Sequence, residues 1–330
     1  VTFAGPLVTL QDIGRRGHMR YGVAPSGPMD PLAFEAAHMA LGNTGQHSAI
    51  EVSLGGVILT CTAGATTVAI TGGDFTVEHA GRALRSWTVL TVQKGDRLAI
   101  RAGSAGSWAY VAFAGELMTP TWLGSAATHA PSGFGGGALR SGQHLHLREA
   151  ALRDDRLGDI PAPDAAATGP LRCVIGPQDH HFTPEAIDRF LGAPFTVSQA
   201  YDRMGMRLER PRLALKDALS IPSEPIVRGS VQVSGDGVPT VLMADHQTTG
   251  GYPKIATVIS PDLPRLAQHR AGDSVRFSAI SSDEAIALAR RYAIGKATYL
   301  TQIATPRGTL EERLMRENLN HGWAADPPLP

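Results

Sequence analysis

The feature that most constrains the fold of this chain is an internal repeat. Short segments of the first half return, in the same order, roughly 165–177 residues later. The matched positions are Gly5-Pro6-Leu7 with Gly169-Pro170-Leu171, Glu51 with Glu224, Asp74 with Asp245, and 95–100 with 272–277. Each match is short, but the shared order indicates an ancient duplication. Two copies are too few for a solenoid, so the sequence predicts two similar units.

Composition favours β structure in both units. The chain has 37 glycines and 23 prolines among 330 residues, and only 6% of its residues are aromatic. Its apolar runs are short and rich in β-branched residues, which is typical of strands joined by tight turns. We therefore predict a mainly β protein with two barrel-like units and a few short helices. The predicted boundaries are 1–153 for the first unit, 154–168 for a linker, 169–295 for the second unit and 296–330 for a C-terminal extension.

Capping signals predict a helix in each unit. Asp30 is placed to cap a helix that begins at Pro31 and ends at Gly42. Thr183 is placed to cap a second helix, which Gly192 ends. Two more helices are predicted at 283–292 and 309–319.

Charge and cysteine content argue against several functions. Thirty basic and thirty acidic residues balance, so nothing favours nucleic acid or an anionic membrane as a partner. No apolar run approaches the roughly 18 residues of a spanning helix, and the first residues lack the pattern of a signal peptide. Cys61 and Cys173 are the only cysteines. We therefore expect no disulfide scaffold and a reducing, cytoplasmic setting.

Motifs for nucleotide, biotin and metal binding are missing from the sequence. Gly295-Lys296 has no upstream glycine to complete a P-loop, and the glycines of 133–137 lack the flanking elements of a dinucleotide fold. No Met-Lys-Met sequence for covalent biotin attachment is present. His180 and His181 point to opposite faces if their segment is extended, and no HExxH or paired CxxC completes a site. We expect no metal site here, and any nucleotide or biotin chemistry must lie largely on another chain.

The strongest candidate site is residues 245–253, Asp-His-Gln-Thr-Thr-Gly-Gly-Tyr-Pro. They interrupt two apolar runs, 241–244 and 255–259, which are typical of buried strands. A turn between core strands needs about two to five residues, and this loop carries more functional groups than turning requires. A long hairpin loop with satisfied polar groups is the alternative. The candidate catalytic residues are Asp245, Gln247 and Tyr252, and the candidate binding residues are Thr248, Gly250 and Gly251.

Other polar positions are candidates for binding a substrate. Arg15 lies in a glycine-flexed segment, where its guanidinium suits a carboxylate or phosphate, although an exposed loop is an equal alternative. Asp202 and Arg203 are placed to pair or to orient a substrate, with solvated charges as the alternative. Strand alternation places Gln232 opposite its neighbouring valines, where its amide suits the floor of a cleft. The complete set is Gln11, Arg15, Ser26, Asp202, Arg203 and Gln232.

Five motifs occur in a fixed order along roughly residues 3–290. They are GPLVTLQDIGR at 5–15, PSGPMD at 25–30, GPQD at 176–179, DRMG at 202–205 and DHQTTGGYP at 245–253. Together they resemble the allophanate hydrolase subunit 2 family, which includes the carboxyltransferase part of urea carboxylase and the KipA-like C subunit of 5-oxoprolinase. The resemblance implies two cyclophilin-like β-barrel subdomains. Tyr201 stands where the family usually has serine, and His180 where it commonly has an acid.

The resemblance also implies a function and partners. It predicts a subunit of an ATP-dependent amidohydrolase of the 5-oxoprolinase type, which acts on a small lactam or amide with a subunit 1 (KipI-like) protein. A LamB/YcsF-like subunit is a further candidate partner, and ATP with Mg enters at the level of the complex. In this hypothesis Asp245, Gln247 and Tyr252 orient the amide, while Arg15 or Arg203 holds a carboxylate or phosphoryl group. Two alternatives stay open: biotin-dependent carboxyl transfer to a urea-like acceptor, and a non-catalytic KipA-type regulatory partner.

Overall fold

The computed structural model describes residues 1–44, 47–163, 169–216 and 220–316. Within them the chain is mainly β, as the sequence predicts, with a large sheet in each half and few helices. We call residues 1–163 the first half and residues 169–316 the second half. Linker residues 164–168 and residues 317–319 of the predicted tail helix lie outside the described residues. The boundaries of the two units stay a prediction.

The first half forms a nine-stranded sheet around two very long strands. The strands of this sheet are β1 (Phe3–Ala4), β2 (Thr9–Gln11), β3 (Ala49–Val52), β4 (Val57–Thr60), β5 (Ala65–His79), β6 (Arg82–Arg85), β7 (Thr88–Gln93), β8 (Arg97–Phe113) and β11 (Gly158–Asp159). A separate two-stranded sheet is formed by β9 (Glu116–Leu117) and β10 (Leu147–Arg148). The register between β5 and β8 shifts just after Gly72. Gly72 has φ of +104°, a conformation that favours glycine, so this bulge depends on that residue.

The second half forms an eight-stranded sheet that closes almost completely into a barrel. The strands of this sheet are β12 (Leu171–Ile175), β13 (Phe195–Tyr201), β14 (Gly205–Glu209), β16 (Ser230–Val233), β17 (Pro239–Leu242), β19 (Lys254–Val258), β20 (Ser274–Val275) and β21 (Phe277–Ala279). A separate two-stranded sheet is formed by β15 (Glu224–Pro225) and β18 (Thr249–Gly250). The edge strands β20 and β21 are separated only by Arg276, and they pair with β13 and β12 respectively. One short segment therefore joins both edges of the sheet.

The predicted helix caps of both halves are confirmed. The helices are α1 (Pro31–Leu41), α2 (Pro184–Gly192), α3 (Leu263–Ala267), α4 (Ser282–Ala304) and α5 (Leu310–Arg316), with short 3₁₀ helices at Met19–Tyr21, Asp154–Arg156, Asp179–His181 and Ser260–Asp262. Asp30 accepts a hydrogen bond from the Ala33 amide, and Thr183 accepts one from the Ala186 amide. None of the helices in the described part of the chain is long and apolar enough to cross a membrane.

Helix α4 is longer than the sequence predicts. It begins at a capping box formed by Ser281 and Glu284, but it continues to Ala304, so the predicted end at residue 292 is wrong. The sequence after 292 contains no proline before Pro306. Packing of α4 on α1, through residues such as Ile303, carries the helix past Gly295. Helix α4 thus passes without a break through the boundary predicted at residue 295.

One pair of turns shows the internal repeat in three dimensions. In the first half, Asp96 accepts a hydrogen bond from the Gln93 amide at 3.0 Å and its own amide donates to the Gln93 carbonyl at 2.9 Å. In the second half, Asp273 makes the same two contacts with Arg270, at 2.7 and 3.0 Å. The glycine before each aspartate has a similar φ, +94° and +92°. This agreement supports the predicted duplication.

The two halves share their hydrophobic cores. Met29 and Trp108, which belong to the first half, pack in the core of the second-half barrel. Helix α1 covers the outer face of β5 and β8 through small residues, and Ile303 of α4 packs in the same layer. Each half therefore completes its packing with side chains of the other.

Candidate functional site

Arg203 is held by a tight turn between β13 and β14. The Asp202 carboxylate accepts hydrogen bonds from the amides of Met204 and Gly205, at 2.8 and 3.1 Å, and so fixes the turn. The Arg203 carbonyl accepts from the Asp245 amide at 2.7 Å, which places the start of the candidate loop beside it. Asp202 remains exposed. The predicted pairing of Asp202 with Arg203 is not observed, because Asp202 is bonded to the backbone of its own turn.

The Arg203 side chain is fully buried between two carboxylates, one from each half. Its Nε and Nη2 donate to the two oxygens of Asp245 at 3.0 Å, its Nη1 pairs with Glu51, and its Nη2 also donates to the Gly27 carbonyl at 2.7 Å. Burial by itself lowers the pKa of Arg203, but Asp245 and Glu51 outweigh it and raise the pKa above its ordinary value. Arg203 is therefore charged, and its guanidinium is fully bonded to groups of the protein itself.

Glu51 connects this ion pair to the first half. Its Oε2 accepts from the Met29 amide and from the Tyr110 hydroxyl, both at 2.8 Å. Burial raises the pKa of Tyr110 well above its ordinary value, and the nearby Glu51 carboxylate adds to the effect, so Tyr110 stays protonated and donates. The Tyr110 oxygen in turn accepts from the Asp30 amide at 2.8 Å. The result is a buried polar network that spans the junction of the halves.

Asp245 is also fully buried, with its oxygens bonded to protein groups. Besides Arg203, its Oδ2 accepts from the Ala130 amide of the first half at 2.9 Å. A carboxylate with three donors and no exposed surface is suited to positioning two loops. The predicted catalytic role of Asp245 stays a prediction, and these contacts favour a positioning role.

The structure brings four of the candidate residues to one cavity of about 350 Å³ in the second half. The Gln232 amide is nearly buried and donates to the Tyr252 carbonyl at 3.3 Å, whereas Gln247 and Tyr252 are exposed. Gly250 lies against Gln232, where an added Cβ would stand 2.5 Å from Nε2. Gly250 therefore leaves room for this amide. The candidate residues that line the cavity are Asp202, Gln232, Gln247 and Tyr252.

The rest of the loop is held by backbone contacts. Thr248 accepts a hydrogen bond at its carbonyl from Ile226 at 3.1 Å, and the Gly251 carbonyl accepts from Ile221 at 2.8 Å. Gly250 pairs with Glu224 in the short ladder of β15 and β18. These positions shape the loop, and none of the three lines the cavity.

A second polar cluster surrounds Arg15 in the first half. Arg15 is nearly buried, donates through Nη2 to the Ala127 carbonyl and through Nε to the Trp122 carbonyl at 3.4 Å, and stacks 5.0 Å from the Trp122 ring centre. Its Nη1 is buried without a hydrogen-bond partner among the described residues. Burial lowers the pKa of Arg15, and the carboxylates of Asp12 and Asp245 oppose this effect.

Two more buried polar atoms near Arg15 lack partners in the described part of the chain. Gln11 donates to Thr9 and to the Thr128 carbonyl, but its Oε1 accepts nothing. The Ser26 hydroxyl is also unpartnered, and Ser26 has φ of +54°. Buried polar groups are normally paired, so these three orphaned atoms are candidates for contact with a polar ligand. None of the three residues lines the 350 Å³ cavity.

Sequence reasoning missed three residues of the junction: Glu51 as a site residue, and Tyr110 and Arg228 altogether. Arg228 donates to the carbonyls of Pro28 and Met29, at 3.0 and 2.5 Å. A signal existed for Glu51, because a charge inside the apolar run Ala-Ile-Glu-Val needs a buried partner. Tyr110 and Arg228 gave no comparable signal.

The histidine pair does not have the geometry assumed from the sequence. Asp179–His181 forms a 3₁₀ helix, so the assumption of an extended segment is wrong. The rings of His180 and His181 lie side by side, with centres 4.2 Å apart. Among the described residues, no group of three or more His, Cys, Asp or Glu side chains could hold a metal ion.

Comparison with known proteins relates this geometry to a family. Residues 21–279 match the family model of the carboxyltransferase domain, subdomain A and B. The chain is 34% identical to the 5-oxoprolinase C subunit of Haemophilus influenzae over 298 residues, which cover 89% of this chain and 94% of the relative. It is 32% identical to the 5-oxoprolinase C subunit of Escherichia coli over 293 residues, which cover 86% and 91%.

A solved structure shows the same fold in a much larger protein. The crystal structure of Kluyveromyces lactis urea carboxylase matches 91% of this chain with a TM-score of 0.80 and 25% identity. The chain spans only 29% of that protein. The family model and the two full-length relatives decide the assignment: this chain belongs to the carboxyltransferase-domain family that includes the C subunit of 5-oxoprolinase.

Proposed function

We propose that this chain is a subunit of a heteromeric, ATP-dependent amidohydrolase of the 5-oxoprolinase type. It acts on a small lactam or amide together with a subunit 1 (KipI-like) protein. The observation that supports this most is the match over more than nine-tenths of two proteins named as the C subunit of 5-oxoprolinase. The word subunit in those names points to partner chains, and a LamB/YcsF-like protein is a further candidate.

Arg15, rather than Arg203, is the residue that we assign to an anionic group. 5-Oxoproline carries a carboxylate beside its lactam, and an activated lactam carries a phosphoryl group. Arg203 already has Asp245, Glu51 and a carbonyl as partners, so a substrate would have to displace them. Arg15 has an unpartnered Nη1, and an ion pair there would satisfy it. The Ala127 carbonyl that accepts from Arg15 lies three residues before Ala130, whose amide donates to Asp245. This cluster therefore adjoins the candidate loop.

The cavity at the candidate loop supplies groups that suit an amide. The exposed Gln247 amide can donate an N–H to the carbonyl of a lactam and accept the lactam N–H at its own oxygen. Gln232 forms the adjoining wall, and the half-exposed Tyr252 offers a hydroxyl to an oxygen that gains negative charge. In this proposal Asp245 holds the loop, while Gln247 and Tyr252 contact the substrate.

ATP and Mg are assigned to the complex as a whole. When bound, ATP would activate the lactam carbonyl so that water can open the ring. The described residues of this chain offer no cluster of acidic or histidine side chains for Mg. No step of the proposed mechanism on this chain therefore passes through the metal.

The test is ATP-dependent turnover of 5-oxoproline by this chain mixed with its subunit 1-like and LamB/YcsF-like partners. We expect Arg15→Gln to raise KM for 5-oxoproline by about tenfold or more, as loss of a charged hydrogen bond does. Arg82→Gln, which changes an exposed arginine of β6, is the matched control and should behave as wild type. Absence of turnover by the wild-type complex would rule out the proposed reaction, and an unchanged KM in Arg15→Gln would rule out its assigned role.

Carboxyl transfer to a urea-like acceptor is the second candidate. It is favoured by the family description as a carboxyltransferase domain and by the fold match to urea carboxylase. In this alternative Arg15 holds the carboxyl group in transit, and biotin arrives on a separate carrier. Transfer of labelled carboxylate from a carboxybiotin carrier to urea, with no release of label when urea is omitted, would support it over the oxoprolinase reaction.

A further inference from the structure

The first half contains a second cavity, of about 620 Å³, that the proposed function does not use. It lies at one end of the nine-stranded sheet, beneath the extended segment 142–148, which we call the strap. The strap is attached to β9 by the pairing of Leu147 with Leu117 and by the Met118 amide, which donates to the His146 carbonyl at 2.9 Å. None of the candidate site residues lines this cavity.

Apolar side chains line the deeper part of this cavity, whereas polar side chains line its edge. Strand residues Val92, Leu98 and Phe113 form its floor, and Leu117 closes one side. The strap adds Leu145 and Leu147, which are half-buried, whereas the histidines that alternate with them are exposed at the rim. This alternation is typical of an extended segment with one face toward an apolar interior.

The charges around the cavity restrict its ligand. None of the described residues that line it is lysine or arginine, and the amino group of Val1 already donates to the Gln143 carbonyl at 2.7 Å. Its single carboxylate, Asp96, is already bonded to His79 Nε2 and to the Gln93 amide, both at 3.0 Å. An anion buried here would lack a lysine or arginine partner, and burial of an unpaired charge is costly. The volume lies within the range of about 300–1,000 Å³ that is typical of small-molecule sites.

We propose that the strap and the end of the first sheet form a binding site for a small, neutral and mainly apolar molecule. The ligand would rest on the floor of Val92, Leu98 and Phe113 and would be covered by Leu145. Threonine and cysteine side chains at the cavity edge, Thr60 and Cys61, offer it weak polar contacts. This site is independent of the proposed amidohydrolase reaction, because it shares no residue with it.

The test is fluorescence titration of the full chain with N-phenyl-1-naphthylamine, a neutral apolar dye. We expect saturable binding of one dye per chain to wild type, and binding weakened by about tenfold or more in Leu145→Trp, whose larger side chain occupies part of the space above the apolar floor. Leu123→Trp makes the same substitution at an exposed position outside the cavity and should bind as wild type.

A second variant keeps the test decisive if Leu145→Trp unfolds. Gln143→Trp also adds bulk from the strap, at a half-buried position that lines the cavity, and we expect the same loss. Circular dichroism establishes which variants are folded. No saturable binding to wild type, or wild-type binding by a folded strap variant, would overturn the proposal.

Discussion

At the scale of single residues, the buried charge of Arg203 has the largest predicted effect on stability. Its guanidinium is the counter-ion of both Glu51 and Asp245, and all three side chains are fully buried. We expect Arg203→Met to lower the free energy of unfolding by about 3–5 kcal/mol, because two carboxylates then lose their counter-charge in the interior. Urea unfolding of the purified chain measures this change.

Arg207→Met provides the matched control in the same strand region. Arg207 pairs with Asp236 at 2.7 Å, but both side chains are 42% exposed. A pair in contact with water contributes about 0–1 kcal/mol, so this variant should unfold close to wild type. Equal losses in the two variants would show that the Arg203 pairs are no more important than a surface pair.

Substitutions of Asp245 and Gln247 should affect stability and activity differently, although both residues lie in one loop. Gln247 is exposed in the cavity, whereas Asp245 is buried in the ion pair. We expect Gln247→Ala to reduce turnover of 5-oxoproline by about tenfold or more, as loss of a substrate hydrogen bond does, with the unfolding midpoint unchanged. Asp245→Ala should lower the midpoint as well. If Gln247→Ala destabilises the fold while Asp245→Ala does not, the positioning role assigned to Asp245 is wrong.

His38 makes stability depend on pH. Burial lowers the pKa of His38 to about 3, with a further contribution from His47, whereas the ordinary value is 6.5. The unfolded chain therefore binds a proton at this site between pH 6.5 and 3 that the folded chain does not bind, so stability falls as pH falls through this window. Compared with His38→Gln, wild type should lose up to about 1.4 kcal/mol per pH unit there. The free energy of unfolding of both proteins is measured at pH 7, 5 and 4. A difference between them that is the same at all three pH values would contradict this prediction.

At the scale of elements, Arg156 contacts the C-terminal ends of two helices. Its Nη1 donates to the Ala304 carbonyl at 2.7 Å, at the end of α4, and lies 3.5 Å from the Ala40 carbonyl near the end of α1. A cation at a helix C-terminus contributes about 0.3–2 kcal/mol, and here one cation serves two helices. We expect Arg156→Gln to lower stability by about 1–2 kcal/mol and to speed amide exchange at the end of α4.

Arg189→Gln is the corresponding control, because Arg189 lies in the last turn of α2 but is exposed. Its removal should change the free energy of unfolding by only about 0.5 kcal/mol or less. Faster exchange at the end of α4 in this variant as well would show that the effect is not specific to Arg156.

Local signals predicted the elements that local chemistry determines. The caps Asp30 and Thr183 fixed the starts of α1 and α2, and the apolar runs on each side of the candidate loop are β17 and β19. The end of α4 was missed because its last turns are stabilised by packing on α1, through residues such as Ile303. Contacts made between distant parts of the chain leave little trace in a short window of sequence.

The same limit applies to the candidate site. Strand alternation was sufficient to place Gln232 beside the loop that carries Gln247 and Tyr252. It was not sufficient to pair Arg203 with Glu51, which is 152 residues away in the chain. The neighbour Asp202 was the obvious partner in sequence, but its carboxylate is bonded to the backbone of its own turn.

At the scale of the whole molecule, Gln268 of the second half makes four hydrogen bonds across the junction. Its Oε1 accepts from the amides of Ser107 and Trp108, at 2.9 and 3.1 Å, and its Nε2 donates to Asp30 and to the Trp108 carbonyl, at 2.9 and 3.1 Å. Trp108 also donates through its indole to the Tyr201 hydroxyl at 2.8 Å. Side chains of both halves are thus hydrogen-bonded to one another across the junction.

Such a junction should make the two halves unfold together. Met29 and Trp108 would leave cavities in the second-half core if the first half unfolded alone. We expect one transition in urea, with coincident far-ultraviolet circular dichroism and tryptophan fluorescence. Gln268→Ala should shift this transition to lower urea without splitting it, because the shared core remains. Two separate transitions in wild type would show that the halves unfold independently. The polar network at their junction would then be too weak to couple the candidate loop of the second half to Arg15 of the first half.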